Sequence, residues 1–295
     1  VFRGFASGSL ATRIDDAKPT VIVSADAGMR GGRPVPYKQL LGEAISLAEH
    51  KPAKVLMVNR GLDKDMAVVA GRDEDYATLR AKHIDAQVPV TWLESSDPSY
   101  ILYTSGTTGK PKGVQRDTGG YAVALAASMK HIYCGNAGET FFSTSDIGWV
   151  VGHSYIIYGP LIAGMATVMY EGTPLRPDAG IWWKICQDQE VTVMFSAPTA
   201  IRVLKKQDPA FLKKYDLSKL RALYCAGEPM DETSHQWMMD ELGIPVIDHY
   251  WQTETGWAML SLMPGVENNA VQLGSPGFPA YGFDVRLFRD DGSEC

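Results

Sequence analysis

Hydroxyl, glycine and lysine residues are concentrated in one short stretch of the chain, Tyr103–Gly113, which reads YTSGTTGKPKG. Glycine allows positive φ angles, so that backbone N–H groups turn toward one point, and such a nest of donors binds phosphate. The hydroxyls add donors, the lysines add positive charge, and Pro111 stiffens the loop. The stretch predicts a phosphate-binding loop rather than a flexible, solvated one. Its candidate ligand-binding residues are Thr104, Ser105, Gly106, Thr107, Thr108, Gly109, Lys110 and Lys112.

Two further segments follow predicted strands, at the positions where open α/β sheets bind their ligands. In the first, Tyr250–Thr255, the Thr253 hydroxyl beside the Glu254 carboxylate suits a phosphate and a Mg²⁺ ion. In the second, Cys225–Pro229, glycine permits the close approach of a flat ring, and Asp231 just beyond it is a candidate helix N-cap. Taken alone, the first segment is more typical of a solvated turn, and an ordinary strand-to-helix loop is the alternative for the second.

Two glycine-rich segments are weaker candidates. Asp146–Tyr155 is rich in glycine and aromatic residues, and His153 within it is by itself more typical of a structural histidine than of a catalyst. Arg30 and Arg33 lie three positions apart in a glycine-rich loop, where two guanidinium groups could chelate a phosphate. On spacing alone, surface arginines without a ligand are the commoner case.

The order of residues in the phosphate loop resembles the signature of the AMP-forming acyl-CoA synthetases, the adenylating family that includes luciferases and the adenylation domains of peptide synthetases. The Thr253–Glu254 and Gly227–Pro229 segments match further signatures of that family, and the resemblance extends over essentially the whole chain. Within the family the chain resembles most the short-chain members that activate propionate, with the acetate-activating members next. The segments that carry this finer resemblance are Asp15–Pro19, Trp92–Ser95 and Gly113–Asp117.

The resemblance implies roles for these residues and three ligands: ATP, Mg²⁺ and coenzyme A. It implies that Lys110, Thr253 and Glu254 are catalytic, with Thr253 on the α-phosphate and Glu254 on the metal. It implies that Arg30 and Arg33 bind coenzyme A. Beyond the phosphate loop, the residues implied in ATP or AMP binding are Gly227, Glu228, Pro229, Asp248, His249, Tyr250, Trp251 and Gln252.

The resemblance also implies an acyl pocket, lined by Trp149, Val150, Val151, Ala226 and Trp251. Trp251 stands where short-chain members close the acyl tunnel, so long chains should be excluded. Acetate-activating members have Val in place of Ala226 and Thr in place of Val151. The Ala226 exchange frees room for about one or two methylenes, each contributing roughly 0.8 kcal/mol when buried. We therefore expect propionate to be preferred over acetate.

The fold that positions these segments is predicted from the alternation of short apolar runs with helical patterns, which indicates an α/β fold with layered, largely parallel sheets and flanking helices. Predicted strands include Pro19–Ser24, Val191–Phe195 and Leu220–Cys225, and predicted helices include Tyr37–His50 and Asp231–Leu242. Beyond residue 256 strand patterns lack intervening helices. We therefore expect an AMP-binding core over residues 1–256 and the start of a β-rich subdomain over 257–295.

Composition narrows the class of protein further. With 45% hydrophobic and 21% charged residues the chain is typical of a globular protein, and its net charge of −6 argues against nucleic acid or an anionic membrane as the main partner. No apolar run reaches the ~18 residues that span a bilayer. The four cysteines show no Cys-x-x-Cys spacing, which favours reduced thiols and a cytoplasmic location. The oligomeric state is left open.

The function predicted is a ligase that forms an acyl-adenylate from propionate and ATP and then transfers the acyl group to coenzyme A. Both ends of the chain look cut, and the resemblance implies a further domain carrying an adenylation lysine. We therefore expect a fragment with little turnover that binds ATP or AMP weakly. The alternatives are an acetate–CoA ligase, a non-catalytic nucleotide-binding module, and a P-loop phosphohydrolase, which the missing G-x-x-x-x-G-K-[ST] spacing disfavours.

Overall fold

The computed structural model describes residues 6–104 and 111–295. The described residues form two compact units: one comprises residues 6–93, 103–104 and 111–113, and the other comprises Glu94–Leu102 with Val114–Cys295. The boundary predicted at residue 256 remains a prediction.

The first unit is built around a three-stranded parallel sheet. Its elements are α1 (Ser7–Ala17), β1 (Val21–Ala25), β2 (Gly28–Arg30), β3 (Arg33–Val35), α2 (Tyr37–Leu47), β4 (Lys54–Val58), β5 (Asp73–Asp75) and α3 (Tyr76–Lys82). Strands β1, β4 and β5 pair in that order, all parallel. The apolar faces of α1 and α2 pack against the inward residues of β4, Val55 and Met57, because these alternate with more exposed neighbours.

Asp26 connects this sheet to the hairpin that follows it. The side chain is fully buried and accepts hydrogen bonds from the backbone N–H groups of Arg60 (3.0 Å), Leu62 (2.7 Å) and Asp63 (3.1 Å). Burial alone would raise the pKa of Asp26, but the backbone donors outweigh it and lower the pKa to about 2. The carboxylate therefore fixes the loop after β4 beside the start of β2.

The second unit contains a five-stranded parallel sheet in the order β12-β11-β10-β8-β9. Its strands are β8 (Thr140–Ser143), β9 (Ala166–Val168), β10 (Val191–Ser196), β11 (Ala222–Cys225) and β12 (Val246–Asp248). A smaller sheet pairs β6 (Pro98–Thr104) with β7 (Lys112–Asp117), and each of these strands contributes to both units. An antiparallel pair near the C-terminal end joins β13 (Leu260–Ser261) to β14 (Phe278–Pro279).

Helices cover the sheet and connect its strands. They are α4 (Gly119–His131), α5 (Val150–Gly152), a π-helical turn (His153–Tyr158), α6 (Gly159–Ile162), α7 (Ile181–Asp188), α8 (Pro198–Lys205), α9 (Ala210–Lys213) and α10 (Glu232–Leu242). Local sequence accounts for several ends. Asp231 caps α10 as predicted, accepting from the Ser234 N–H at 2.9 Å, and Gly243 ends that helix at a φ of 67°.

Both faces of the five-stranded sheet are buried, as is usual for parallel sheets. In β10, Val193 and Phe195 belong to one apolar cluster, whereas Val191 and Met194 belong to the other. The predicted α/β class with largely parallel sheets is confirmed. The predicted helix Tyr37–His50 is shorter, because Ala48 adopts an extended conformation.

Several elements escaped sequence prediction, among them α1, β8, the β2–β3 hairpin and the π-helical turn. All four cysteines are free, and burial raises the pKa of Cys186 to about 12. Within the described ranges, no helix is both long enough and apolar enough to cross a membrane.

We predict that Asp26→Asn lowers the free energy of unfolding by about 1–3 kcal/mol, because an amide presents one acceptor oxygen to donors that now share two. The contribution of the native Asp26 carboxylate to the free energy of unfolding should be fully present above pH 3.8, the pKa of the unfolded group. It should be lost as the pH falls toward about 2, the pKa in the folded protein. Urea unfolding between pH 2 and 7 measures it, with the exposed Asp65→Asn as the control. Equal unfolding energies for the two variants would contradict the assignment.

Candidate functional site

One cavity lies where strands of the five-stranded sheet end. Its volume is about 640 Å³, and β8, β10, β11 and β12 all lead to it. The lining residues next to these carboxyl ends are Thr144 and Ser145 for β8, Ser196 and Ala197 for β10, Ala226 and Gly227 for β11, and Trp251, Gln252 and Thr253 for β12. Parallel strands bring their carboxyl ends to one edge, which is where open α/β sheets bind ligands.

The cavity has an apolar part that contains all five predicted acyl-pocket residues. Trp149 and Val151 reach it from the start of α5, and Ala226 reaches it from the end of β11. Val150 and Trp251 are buried within its wall. The structure thus brings these residues together, and their contact with an acyl chain remains a prediction.

An aromatic cluster fixes the indole of Trp251. The rings of Tyr155 and Trp251 meet edge to face, with centroids 5.5 Å apart and an interplanar angle of 82°. Phe195 lies 6.2 Å from the indole centroid and Tyr155 comes from the π-helical turn, where its own φ of −130° interrupts the helix. Such aromatic contacts hold a ring in one orientation. The irregular turn therefore positions the wall of the cavity.

The side chains of Asp248 and His249 lie behind this wall and do not line the cavity. Asp248 accepts a hydrogen bond from the Met230 N–H at 3.1 Å, and burial raises the pKa of its carboxyl. His249 Nε2 lies 2.8 Å from the Tyr133 hydroxyl, and complete burial lowers the pKa of the imidazole to about 4. Both residues thus support neighbouring segments, and direct contact with a nucleotide remains a prediction for them.

The Gly227–Pro229 segment is tied to the start of α8. The Glu228 carboxylate accepts from the Thr199 N–H at 2.7 Å and from the Thr199 hydroxyl, and it pairs with Arg202. These hydrogen bonds, opposed by burial, lower the pKa of Glu228. Gly227 has a φ of 102°, a conformation that side chains rarely adopt, and it lines the cavity. The loop is therefore held in a shape that leaves its glycine open to the cavity.

The Thr253–Glu254 segment is held through its backbone. Arg116, a buried residue of β7, donates to the carbonyl oxygens of Thr253 and, at 2.7 Å, of Glu254. Thr253 lines the cavity, and Glu254 is exposed. Sequence reasoning missed Arg116, because no spacing connects position 116 with positions 253 and 254.

Exposed side chains near Glu254 complete this segment. Gln252 donates from Nε2 to the Tyr250 hydroxyl at 2.6 Å. Among the described residues no group of three or more His, Cys, Asp or Glu side chains could hold a metal ion. A single exposed carboxylate nevertheless fits Mg²⁺, which is typically bound by one or two carboxylates together with substrate phosphates.

The other predicted site residues that the structure describes lie in the first unit. Arg30 and Arg33 are cross-strand partners at the end of the β2–β3 hairpin, joined by Gly31 and Gly32, whose φ angles are 57° and 81°. Both arginines are exposed. Such a two-residue turn requires positive φ at both positions, which explains the Gly-Gly pair.

Like charges directly opposite each other are unfavourable in a sheet, so the arginine pair is a suitable place for an anion. Thr104 ends β6 and Lys112 begins β7. The predicted ligands Ser105, Gly106, Thr107, Thr108, Gly109 and Lys110 lie outside the described residues.

Comparison with known proteins identifies the class. The AMP-binding enzyme family matches residues 1–295, so the chain belongs to that family. It is 61% identical over 296 residues to the propionate–CoA ligase of Escherichia coli K12, covering 100% of this chain and 47% of that protein.

The propionate–CoA ligase of Salmonella typhimurium gives the same values, 61% identity over 100% of this chain and 47% of that protein. The human mitochondrial acyl-CoA synthetase short-chain family member 3 is 45% identical over 99% of this chain and 43% of its own length. The chain therefore spans about half the length of the curated relatives it matches. The resemblance inferred from the motifs is confirmed.

The buried imidazole gives a pH prediction. Since the pKa of His249 falls from 6.5 to about 4 on folding, unfolded chains bind more protons between these values. The stabilisation that depends on neutral His249 should therefore be fully present above pH 6.5. Between pH 6.5 and about 4 the free energy of unfolding should fall by up to about 1.4 kcal/mol per pH unit.

His249→Gln, which keeps a polar partner for Tyr133, should remove this part of the pH dependence in urea unfolding. The exposed His83→Gln serves as the control and should retain it. Identical pH slopes for wild type and His249→Gln would show that His249 is not neutral in the folded protein.

Proposed function

We propose that the protein carrying this chain is an AMP-forming ligase that activates propionate. The carboxylate of propionate attacks the α-phosphorus of ATP, the bond from that phosphorus to the bridging oxygen of pyrophosphate breaks, and propionyl-adenylate forms. The thiolate of coenzyme A then attacks the acyl carbon, and AMP leaves with the electrons of the C–O bond.

The observation that carries the proposal is the composition of the cavity at the sheet edge. Its apolar lining includes Val151, Ala226 and Trp251, and its polar lining includes Gln252 and Thr253. A short acyl chain needs the first kind of surface and a phosphoryl group needs the second. The cavity therefore has both an apolar and a polar surface, and the two meet at the consecutive lining residues Trp251, Gln252 and Thr253.

Within this proposal, Gly227–Pro229 bind the adenine and Thr253 binds the α-phosphate. The bound Mg²⁺ would neutralise charge on the phosphates, and Glu254 is the residue that would hold it. Ser105–Lys110 would bind the β- and γ-phosphates. Catalysis of the first step is then mainly positioning and charge stabilisation by donors fixed in advance.

The acyl specificity depends on Trp251 in the wall of the cavity. Trp251 is buried and held by Tyr155 and Phe195, so it cannot swing aside to admit a long chain without breaking aromatic contacts. Ala226 and Val151 leave a dry space for one more methylene than acetate has. A single methylene gives limited discrimination, about 10- to 200-fold, so residual use of acetate is expected.

Coenzyme A is proposed to bind through Arg30 and Arg33, whose guanidinium groups suit the phosphates of its nucleotide. This rests on their cross-strand pairing and exposure. Arginine offers planar, paired donors that lysine lacks, so the pair is not equivalent to two lysines.

The reaction is tested on the complete protein by measuring pyrophosphate release. We expect release that depends on propionate and yields AMP. Release of ADP instead would indicate a phosphohydrolase, and nucleotide binding without any acid-dependent release would indicate a non-catalytic module. Calorimetry with this chain alone should detect weak Mg-ATP binding, and its absence at millimolar ligand would count against the site.

The pocket is tested by Ala226→Val. Two added methyl groups in the cavity wall should lower the propionate-to-acetate ratio of kcat/KM by about fourfold, because one buried methylene contributes roughly 0.8 kcal/mol. Ala222→Val makes the same exchange in β11 but outside the cavity lining, and should leave the ratio unchanged. An unaltered ratio in Ala226→Val would refute the pocket argument.

A further inference from the structure

Arg116 is a buried cation that donates two hydrogen bonds to one short loop. It is 9% exposed, and its two terminal nitrogens donate to the Thr253 and Glu254 carbonyl oxygens. Among the described residues no carboxylate lies within ion-pair distance of it. Its guanidinium instead lies over the Tyr121 ring, with Cζ 5.6 Å from the ring centroid. The positive charge therefore remains unneutralised beneath this loop.

The loop is shaped to receive the guanidinium. Gly256 has a φ of 79°, and a Cβ atom there would come within 2.9 Å of Arg116 Cζ and Nη2. Contacts closer than 3.0 Å force a displacement, so only glycine leaves the space that the fork of Arg116 occupies. The pairing thus depends on both residues, which are 140 positions apart in the chain.

A second buried side chain, Ser154, anchors the same loop. Ser154 donates to the Gly256 carbonyl oxygen at 2.6 Å, and its hydroxyl oxygen lies 2.6 Å from that of Tyr121. Ser154 and Tyr121 are both buried. Three carbonyl oxygens of the loop, those of Thr253, Glu254 and Gly256, therefore accept hydrogen bonds from buried side chains.

The anchored carbonyls leave the side chains of the loop free for a ligand. Thr253 faces the cavity, and Glu254 is exposed although its backbone is held. A ligand-binding group gains precision when a supporting layer fixes its backbone. Charge beneath the loop also favours an anion in front of it, because buried charges are screened less than exposed ones.

We propose that Arg116 is a positioning residue for the triphosphate and its metal ion, which fixes the Thr253–Glu254 loop and supplies unneutralised positive charge behind it. The inference rests on the proposed function, since it assigns Thr253 and Glu254 to ATP and Mg²⁺. Arg116 does not touch the substrate. Its effect should therefore appear in the nucleotide and metal dependence and not in the dependence on propionate.

The test uses the complete protein and compares Arg116→Lys, which keeps the charge but loses the two-carbonyl fork, with Arg116→Met, which loses both. Charge-assisted hydrogen bonds of this kind correspond to about tenfold or more each in an equilibrium constant. We expect the KM for ATP and the half-saturating Mg²⁺ concentration to rise about tenfold in Arg116→Lys and further in Arg116→Met. The KM for propionate should change less than about twofold in both, because that part of the cavity has other supports.

Two other variants make the result specific. Gly256→Ala displaces the guanidinium while leaving Arg116 in place, so it should raise the same two constants, and its effect should not add to that of Arg116→Lys. Gln115→Met changes the exposed neighbour of Arg116 in β7 and should alter none of the constants.

A parallel change in the KM values for ATP and propionate, or no change in either while the thermal midpoint falls, would mean that Arg116 is only structural. If either Arg116 variant fails to fold, Gly256→Ala decides the question by the same criteria. Absence of propionate-dependent pyrophosphate release in the wild type would instead overturn the proposed function. In that case calorimetry tests the inference: the Arg116 and Gly256 variants must have a higher Kd for Mg-ATP than the wild type.

Discussion

Parallel pairing of the strands in the five-stranded sheet is the constraint on which the rest of the second unit depends. Parallel strands must all point the same way, so the segments after β8, β10, β11 and β12 emerge at one edge. Burial of both faces locks the register, since a shift by one residue would exchange the clusters that contain Phe195 and Met194. A cavity at that edge follows from the topology, and the residues in the loops decide what it binds.

The neighbourhood of the cavity separates lining residues from supporting ones. Trp251 and Phe195 line the cavity, whereas Tyr155 and His249 hold the indole of Trp251 from behind. Burial keeps His249 neutral and keeps Asp248 closer to protonation than an exposed aspartate. The predicted nucleotide-binding run therefore divides into two parts: Asp248 and His249 support the site, and Trp251–Thr253 line the cavity.

Polar side chains tie distant loops to this edge. Glu228 joins the Gly227–Pro229 loop to α8, and Arg116 joins β7 to the Thr253–Glu254 loop. Each such contact replaces water around a polar backbone group with a fixed partner, which is costly to remove once the site is dry. The loops that carry the motifs are thus stiffened by residues outside the motifs.

The sequence by itself determined the α/β class, the family and the segments that line the cavity, because apolar periodicity and short contiguous motifs are local properties of the chain. Helix α10 with its Asp231 cap could be predicted for the same reason. Only the tertiary structure decided that Arg30 and Arg33 face each other across a hairpin, that His249 is buried, and that Arg116 meets Thr253 and Gly256. These contacts join residues whose separation in the chain carries no signal, since they are set by strand order and by which side chains the packed sheet turns inward.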